Sequence, residues 1–195
     1  MTPLTRKGHS PRDRILNETL TLLREHWYDG VSLREVAKRC EIKLGNLQYY
    51  FATREALFFE LVERQADQDN EAIAQLLEGA ESAEAALDLI IRDLFSRWRR
   101  HDGAIYIVLQ LLRGSADPFA DLYRTVYERH YQSLEPLIEQ LNPELSSAEL
   151  SFKAKLITSL IDGATMQIVD TSQRSAFLER IVAEAMRLAL LTDGE

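Results

Sequence analysis

Residues 43–57, KLGNLQYYFATREAL, carry side chains suited to a flat, hydrogen-bonding partner. Asn46 and Gln48 each have an amide that can donate and accept at once, the pattern that pairs with the edge of an adenine base. Gly45 has no side chain and would let a partner approach the backbone closely. The same residues also fit a polar helix face that contacts only water, so the elements around them have to decide.

Cations flank this stretch. Lys38, Arg39 and Lys43 could hold phosphate groups and so orient the amides. Arg54 is the unusual residue, because it falls in the first turn of a predicted helix, where a cation opposes the helix dipole. A phosphate bound at that helix terminus would make the arginine favourable. The phenol of Tyr49 could also donate to a phosphate.

Two predicted helices precede the stretch. The first begins after Ser10, an N-cap residue followed by proline, and runs to about Trp27. Gly30 then ends the helix and turns the chain. The second helix covers about 32–40 and begins with SLRE, a capping box in which the serine and glutamate satisfy each other's backbone donors.

The stretch itself predicts a third, very short helix over about 44–50. Leu44, Leu47 and Phe51 fall at helical spacing and form one apolar face. Seven residues make a helix only about 10 Å long, which needs tertiary packing to be stable. A long fourth helix follows over about 54–78. Two short helices packed on a longer first helix form a helix-turn-helix.

The rest of the chain predicts an all-α fold. Apolar residues make up 46% of the sequence, and eight glycines and five prolines are few for 195 residues. Helical periodicity continues over five further segments, 82–100, 103–113, 117–141, 147–170 and 173–192. Pro136 lies inside one of these segments and is expected to kink or break that helix.

These patterns divide the chain into three parts: a flexible N-terminal arm over 1–10, a helix-turn-helix domain over 11–60 and a larger helical domain over 61–195. Charge follows the same division. Residues 1–54 contain ten basic and six acidic residues, a net charge of +4. The whole chain has a net charge of −8, so the remaining residues carry a net charge of −12. That asymmetry suits a chain of which one end meets a polyanion, although a chance distribution of surface charge would look the same.

Several functional classes find no support in the sequence. The single cysteine, Cys40, allows neither an intramolecular disulfide nor a cysteine-based zinc cluster, and the four histidines lack metal-ligand spacing. There is no Ser-His-acid order, no paired carboxylates and no glycine-rich phosphate loop, so we expect neither an enzyme nor a cofactor. With no long apolar run and no signal-peptide pattern, the sequence predicts a cytoplasmic protein.

Residues 12–60, and especially GVSLREVAKRCEIKLGNLQYYFATREAL, resemble the DNA-binding domain of the TetR/AcrR family of transcriptional regulators. The residues that match the family pattern are Gly30, Val31, Ser32, Val36, Ala37, Leu47, Tyr49, Phe51, Glu55 and Leu57. Glu41 replaces the usual glycine of the turn, and Lys43 replaces the usual serine or threonine cap. Gln48 replaces a commoner tyrosine, whereas Arg54 keeps the positive charge of the family's lysine.

The resemblance implies a homodimer that binds a palindromic operator in double-stranded DNA. Residues expected to approach the bases are Arg34, Lys43, Gly45, Asn46 and Gln48. Residues expected to hold phosphates are Ser32, Tyr49 and Arg54. The two copies of the third helix must lie about 34–36 Å apart to enter successive major grooves. A small-molecule effector in the larger domain would change that spacing and favour release.

The larger domain has candidate residues for both of its expected roles. Two adjacent predicted helices have small and apolar faces that suit a four-helix dimer interface, unless they simply pack within the chain: Leu156, Leu160, Gly163, Ala164, Gln167, Phe177, Ile181, Ala185, Leu188 and Ala189. Aromatic and polar residues could line an effector pocket, or form ordinary core: Phe95, Trp98, Tyr106, Arg113, Tyr123, Tyr127, Tyr131 and His130.

Together these observations predict an all-α, ligand-responsive transcriptional regulator that acts as a repressor. Two alternatives remain open at this stage. The same fold could serve an activator, or the basic domain could meet an acidic protein in a helical adaptor.

Overall fold

Helices are the only secondary structure in the residues that the computed structural model describes, which are 10–99, 104–114, 117–167 and 174–191. In chain order they are α1 (Pro11–Gly30), α2 (Leu33–Arg39), α3 (Leu44–Tyr50), α4 (Arg54–Gly79), α5 (Ala83–Arg99), α6 (Ala104–Leu112), α7 (Asp117–Leu141), α8 (Ser147–Gln167) and α9 (Arg174–Leu190). None of these helices is long and apolar enough to span a membrane. The all-α prediction is therefore confirmed, while residues 1–9 of the predicted arm lie outside the described residues.

The end of α1 differs from the prediction. The helix does not stop at Trp27 but breaks there, since Trp27 has φ 57° and ψ −178°, and helical geometry resumes as far as Gly30. Gly30 ends the helix as expected, but for another reason, because its φ is not positive. A Cβ added at Gly30 would lie 2.4 Å from the Cβ of His26. Glycine is therefore required at position 30, because the backbone there lies too close to the side chain of His26 for another Cβ to fit.

The start of α2 forms half of the predicted capping box. The hydroxyl of Ser32 accepts a hydrogen bond from the backbone N–H of Glu35 at 3.2 Å. The carboxylate of Glu35 lies 3.9 Å from Nζ of Lys38. The glutamate side chain thus faces along the helix, where it pairs with a cation one turn later.

The turn between α2 and α3 has the backbone shape of a glycine turn without the glycine. Glu41 has φ 56°, the left-handed conformation that a side chain disfavours. At the following helix start, Lys43 makes no side-chain cap. Helix α3 is therefore positioned by packing and not by its own terminus.

Two hydrophobic clusters hold the helices together. The first joins α1–α4 to α6 and the beginning of α7, so the core of the helix-turn-helix region continues into the larger domain. The second joins the end of α4 to α5, α7, α8 and α9. Phe58 and Leu61 of α4 belong to the first cluster, and Ile73 of the same helix belongs to the second. Helix α4 is thus the element common to both.

The expected break at Pro136 does not occur, because α7 runs without interruption from Asp117 to Leu141. Proline at this position leaves the carbonyl of Gln132 without its intrahelical donor. Gln132 is exposed, so water can reach that region of the helix. Packing of Leu134 and Leu137 in the second cluster holds the helix together on the opposite side.

Replacing Glu41 by glycine is expected to stabilise the protein by about 1 kcal/mol, because glycine adopts a positive φ without steric cost. Urea unfolding of the Glu41→Gly variant measures the change. Glu41→Ala is the matched control, since it removes the same carboxylate but keeps a Cβ. Equal unfolding midpoints for the two variants would contradict the assignment of strain to this turn.

Candidate nucleic-acid interface and ligand cavity

Helix α3 presents one apolar and one polar face, as its sequence predicts. Leu47 is fully buried and Phe51 is 2% exposed, and both pack in the first cluster. Asn46 and Gln48 are exposed on the outer face, and Tyr49 beside them is 85% exposed. The exposed phenol of Tyr49 can donate a hydrogen bond to a partner on this face.

Gly45 has no structural role inside the chain. A Cβ added at this position would meet no atom within 4 Å, so the fold leaves room for a side chain there. The absence of a side chain on the exposed face of α3 instead keeps the surface flat. A partner could approach the α3 backbone closely at this point.

The other predicted contact residues surround this face. Arg34 and Lys43 are exposed, as is Ser32. The Ser32 oxygen accepts a helix-capping hydrogen bond, which leaves its O–H able to donate to another group. These positions are compatible with the predicted base and phosphate contacts.

Two arginines near this face stabilise the DNA-binding head, which consists of α1–α3 and the beginning of α4. The guanidinium of Arg39 donates to Glu18 at 2.9 Å and to Glu25 at 2.6 Å, which fixes α2 on α1. Arg12 lies 4.9 Å from the ring centre of Phe51 and forms an ion pair with Glu60. Both side chains therefore stabilise the packing around α3.

Arg54, predicted to grip phosphate, points toward α1. Its guanidinium donates to the backbone carbonyl of Tyr28 and lies 3.7 Å from the centre of the Tyr28 ring. The Phe58 ring, which contacts the Tyr28 ring at 5.0 Å between centres, lies 5.5 Å from the guanidinium, and the Nε atom is buried without a hydrogen-bond partner. Stacking between α1 and α4 therefore explains an arginine in the first turn of α4, and its phosphate contact stays a prediction.

A buried polar network lies where α4, α5 and α6 meet. Asp69 is 3% exposed and accepts hydrogen bonds from the phenol of Tyr106 and, at 3.0 Å, from the amide of Gln65. Arg97 lies 3.3 Å from the same carboxylate. Burial raises the pKa of Asp69 despite these donors. The sequence does offer a signal for this network, because Asp69 interrupts the apolar stripe of α4.

A second network connects α7 to α6 and α8. The phenol of Tyr127 donates to the carboxylate of Asp162 at 2.8 Å. The amide of Gln110 donates to the phenols of Tyr127 and Tyr123, each at 3.3 Å. Burial raises the pKa of Asp162 to about 6, although the bond from Tyr127 acts in the opposite direction.

His130 stands between the two networks. Its ring contacts Tyr106 and Tyr127 edge-on, with ring centres 5.9 and 5.8 Å away. Burial, with the nearby charge of Arg129, lowers the pKa of His130 to about 4, so the imidazole is neutral at pH 7. Its Nε2 atom is buried and has no hydrogen-bond partner. A buried polar atom without a partner needs an explanation.

The orphaned nitrogen borders a small internal cavity of about 20 Å³. Side chains from four helices line it: Ile73, Ile90, Leu94, His130, Ser133, Leu134, Thr158, Ile161 and Asp162. A space of this size holds about one water molecule. Most of the wall is aliphatic, and its ionisable groups are one histidine and one carboxylate.

Of the side chains predicted to line a pocket, only His130 borders this cavity. Phe95 is part of the second hydrophobic cluster. Tyr123 is half-buried, and the guanidinium of exposed Arg113 lies 4.8 Å from its ring centre. The side chain of Trp98 lies outside the described residues. Sequence reasoning selected the aromatic neighbours of the cavity and missed Asp162, its acidic wall.

The predicted dimer residues separate into two sets. Ala164, Ile181 and Ala185 are buried where α8 and α9 pack within the chain. Leu156 and Phe177 are exposed, at 38% and 39%. Three further members are half-buried: Leu160, Gly163 and Leu188. Ala189 is buried, and the side chain of Gln167 lies outside the described residues. Phe152, 58% exposed and one turn before Leu156, extends the exposed set and was not predicted.

A short exposed helix braced by α1 and α2, on a chain of nine described helices, defines a DNA-binding regulator of the helix-turn-helix class. Residues 15–61 match the model of bacterial regulatory proteins of the tetR family. The match covers the helix-turn-helix, from α1 to the first turns of α4.

The chain is also similar to regulators of known sequence or structure. The helix-turn-helix transcriptional regulator YvdT of Bacillus subtilis (strain 168) is 24% identical over 153 residues, covering 77% of this chain and 78% of YvdT. The biofilm operon icaADBC negative transcriptional regulator IcaR of Staphylococcus aureus (strain Newman) is 33% identical over 51 residues, 26% of this chain and 27% of IcaR. A putative transcriptional regulator from Saccharomonospora viridis, crystallised in complex with choline, has the same fold, with a TM-score of 0.75. Its sequence is 18% identical, and the structural match covers 89% of this chain and 92% of the Saccharomonospora chain.

Replacing Arg54 by alanine is expected to lower the free energy of unfolding by about 1–2 kcal/mol, because the carbonyl of Tyr28 loses its donor and the rings lose a cation. Thermal or urea unfolding measures this loss. Arg14→Ala is the control: Arg14 is exposed, with only a 4.0 Å contact to Glu41, so its loss should cost little. Unchanged stability of the Arg54 variant, together with weakened DNA binding, would contradict the packing role.

Proposed function

We propose that the protein is a ligand-responsive repressor that binds a palindromic operator as a homodimer and releases it when a small molecule occupies the cavity of the larger domain. The observation that carries this proposal is the course of α4. Its first residue, Arg54, packs on the DNA-binding head, and Ile73 of the same helix borders the cavity. The protein acts in the cytoplasm, where such a regulator meets the chromosome.

In this proposal α3 enters the major groove. Asn46 and Gln48 contact base edges through their amides, and exposed Arg34 and Lys43 add cationic donors to the bases. Ser32 and Tyr49 donate to the phosphate backbone. Arg54, which packs on α1, contributes its positive charge to the attraction of the phosphates. The flat surface at Gly45 lets α3 lie deep in the groove.

The dimer forms through the exposed apolar stripe of α8 and α9. Phe152, Leu156 and Phe177 are more than a third exposed, which is unusual for three large apolar side chains on one surface. Leu160, Gly163 and Phe177 also line a shallow groove between the two helices. The same stripe on a second copy would cover both surfaces in an isologous four-helix interface.

Occupation of the cavity is coupled to DNA release through α4. A cavity of about 20 Å³ is too small for an effector, so α4, α5, α7 and α8 must move apart to admit one. A ligand that binds better to this opened arrangement shifts the population toward it. Movement of α4 carries the head with it and changes the distance between the two copies of α3.

Two relatives support the repressor and effector parts of the proposal. The relative IcaR, similar over the DNA-binding residues, is a negative regulator. The Saccharomonospora neighbour holds a small organic cation. The direct test is a gel-shift experiment with DNA upstream of the chain's own gene, followed by transcription in vitro. A salt-sensitive, palindromic footprint that lowers transcription supports the proposal, whereas a footprint that raises transcription assigns an activator.

Replacing Gln48 by alanine is expected to cost about 1–3 kcal/mol of operator binding, and only where the base pair contacted by Gln48 is present. Fluorescence anisotropy with operators that differ at single base pairs measures this effect. Lys38→Ala is the control, because an exposed phosphate-binding lysine should weaken binding to all sequences alike and reduce the salt dependence. A uniform loss for the Gln48 variant would remove this residue from base recognition.

Replacing Leu156 by arginine is expected to yield a monomer, since two cations would face each other across the interface, and operator affinity should fall with it. Light scattering after size-exclusion chromatography measures the mass. Leu111→Arg is the matched control, because Leu111 is an even more exposed leucine, at 59%, on α6. A Leu156 variant that keeps the dimeric mass would place the interface elsewhere.

A further inference from the structure

Asp162 lacks a counter-ion. Its carboxylate accepts from the phenol of Tyr127, a neutral donor, and no cation pairs with it among the described residues. Asp162 is half-buried; the fully buried Asp69 nearby differs in this respect, because Arg97 lies 3.3 Å from it. A buried carboxylate without a cation costs stability. Asp162 borders the cavity, so a cation placed there would remove that cost.

His130 provides a second unsatisfied group at the same cavity. Its Nε2 atom is buried and unpartnered, and the ring borders the cavity together with Asp162. The imidazole is neutral, since burial lowers its pKa to about 4. A neutral imidazole has one acceptor nitrogen. In the tautomer protonated at Nδ1, Nε2 is that acceptor, and a ligand N–H that reaches it would satisfy it.

The tyrosines along α7 already attract cations at both ends of their row. The guanidinium of Arg113 lies 4.8 Å from the ring centre of Tyr123, and Nζ of Lys155 lies 5.7 Å from that of Tyr131. Tyr127 is the middle ring, and no described cation lies over it. The phenol that contacts Asp162 belongs to this ring. Tyr127 stacks on Tyr123, with ring centres 4.4 Å apart, so the aromatic row and the carboxylate that lacks a cation are adjacent.

An anionic ligand would find no partner here. The described arginines near the site are already paired: Arg97 with Asp69 and Asp93, at 3.3 and 2.6 Å, and Arg129, whose charge acts on His130, with Asp67 at 2.9 Å. A carboxylate or phosphate would approach Asp162 and meet like charge without compensation. The aliphatic walls from Ile73, Ile90 and Leu94 fit an apolar body instead.

We propose that the effector is a protonated amine with a compact apolar body, whose ammonium group donates one N–H to Asp162 and another to Nε2 of His130. The apolar body lies against the aliphatic wall of α4 and α5 and separates these helices from α7 and α8. This inference rests on the effector-responsive function proposed above, and it names the chemical class of the ligand. It also assigns a purpose to a carboxylate that lacks a cation and to a nitrogen that lacks a hydrogen bond.

The test compares molecules of one shape with the full-length protein. Isothermal titration calorimetry measures binding of cyclohexylamine, cyclohexanol and cyclohexanecarboxylate at pH 7.5. The amine is expected to bind about 30-fold or more tighter than the alcohol, because only the amine pairs with the buried carboxylate, and the carboxylate should not bind. An alcohol that binds as tightly as the amine, or a carboxylate that binds more tightly, overturns the proposal.

A fourth probe tests the role of His130. Cyclohexyltrimethylammonium carries the same charge as the amine but has no N–H to donate, so it is expected to bind more weakly than cyclohexylamine. Equal or tighter binding of this quaternary ion would overturn the assignment of an N–H bond to His130. Neither probe series depends on a substituted protein.

The variant Asp162→Asn removes the charge at nearly constant size and can still accept from Tyr127. It should lose the preference for amine over alcohol. Asp121→Asn is the matched control, because Asp121 is an exposed carboxylate of α7 paired with Arg124. An Asp162 variant that binds the amine like the unmodified protein contradicts the proposal.

Operator binding without any ligand, measured by anisotropy before the titrations, separates the two levels of inference. If the protein does not bind DNA, the proposed function fails, while calorimetry still decides the ligand class. If it binds DNA but the amine binds no better than the alcohol, only the ligand class fails. Release of the operator by cyclohexylamine, but not by cyclohexanol, supports both.

Discussion

The continuity of α4 is the constraint on which the rest of the structure depends. Its first half packs in the cluster that holds the DNA-binding head, and Ile73 packs in the cluster of the larger domain. At a rise of 1.5 Å per residue, Ile73 lies about 28 Å from Arg54 along the helix axis. A helix without an internal break transmits tilt over that length with little loss, so neither cluster can rearrange independently. The stacking of Arg54 on Tyr28, whose ring also contacts Phe58, makes the head follow the helix.

Two polar side chains at the centre of the larger domain lower the stability of its fold. Aliphatic residues in place of Asp162 and His130 would remove a half-buried carboxylate without a cation and a buried nitrogen without a hydrogen bond. The chain instead keeps both groups beside a cavity that is nearly closed. Strain of this kind is typical of sites that await a partner, because the missing interactions become available only on binding.

Much of the fold could be predicted from the sequence, because helical periodicity and caps are local. The bounds of α3 and the burial of Leu47 follow from spacing alone. The direction of the Arg54 side chain could not be predicted, since it depends on where α1 places Tyr28. The same limit applies to α8 and α9: two apolar faces exist on such helices, and tertiary packing decides which one stays exposed. Asp69 and Asp162 could have been identified from the sequence, because each is a polar residue in an apolar stripe of its helix.

The single cysteine gives the head a built-in reporter. Cys40 ends α2 and is 1% exposed, packed in the first cluster, and burial raises the pKa of its thiol. A thiol reagent can therefore modify it only in molecules whose α2 and α3 have locally opened. Because the chain has no other cysteine, the labelling rate gives the opening equilibrium of the helix-turn-helix without any substitution. Comparing that rate with and without a ligand would show how far events at the cavity reach into the head.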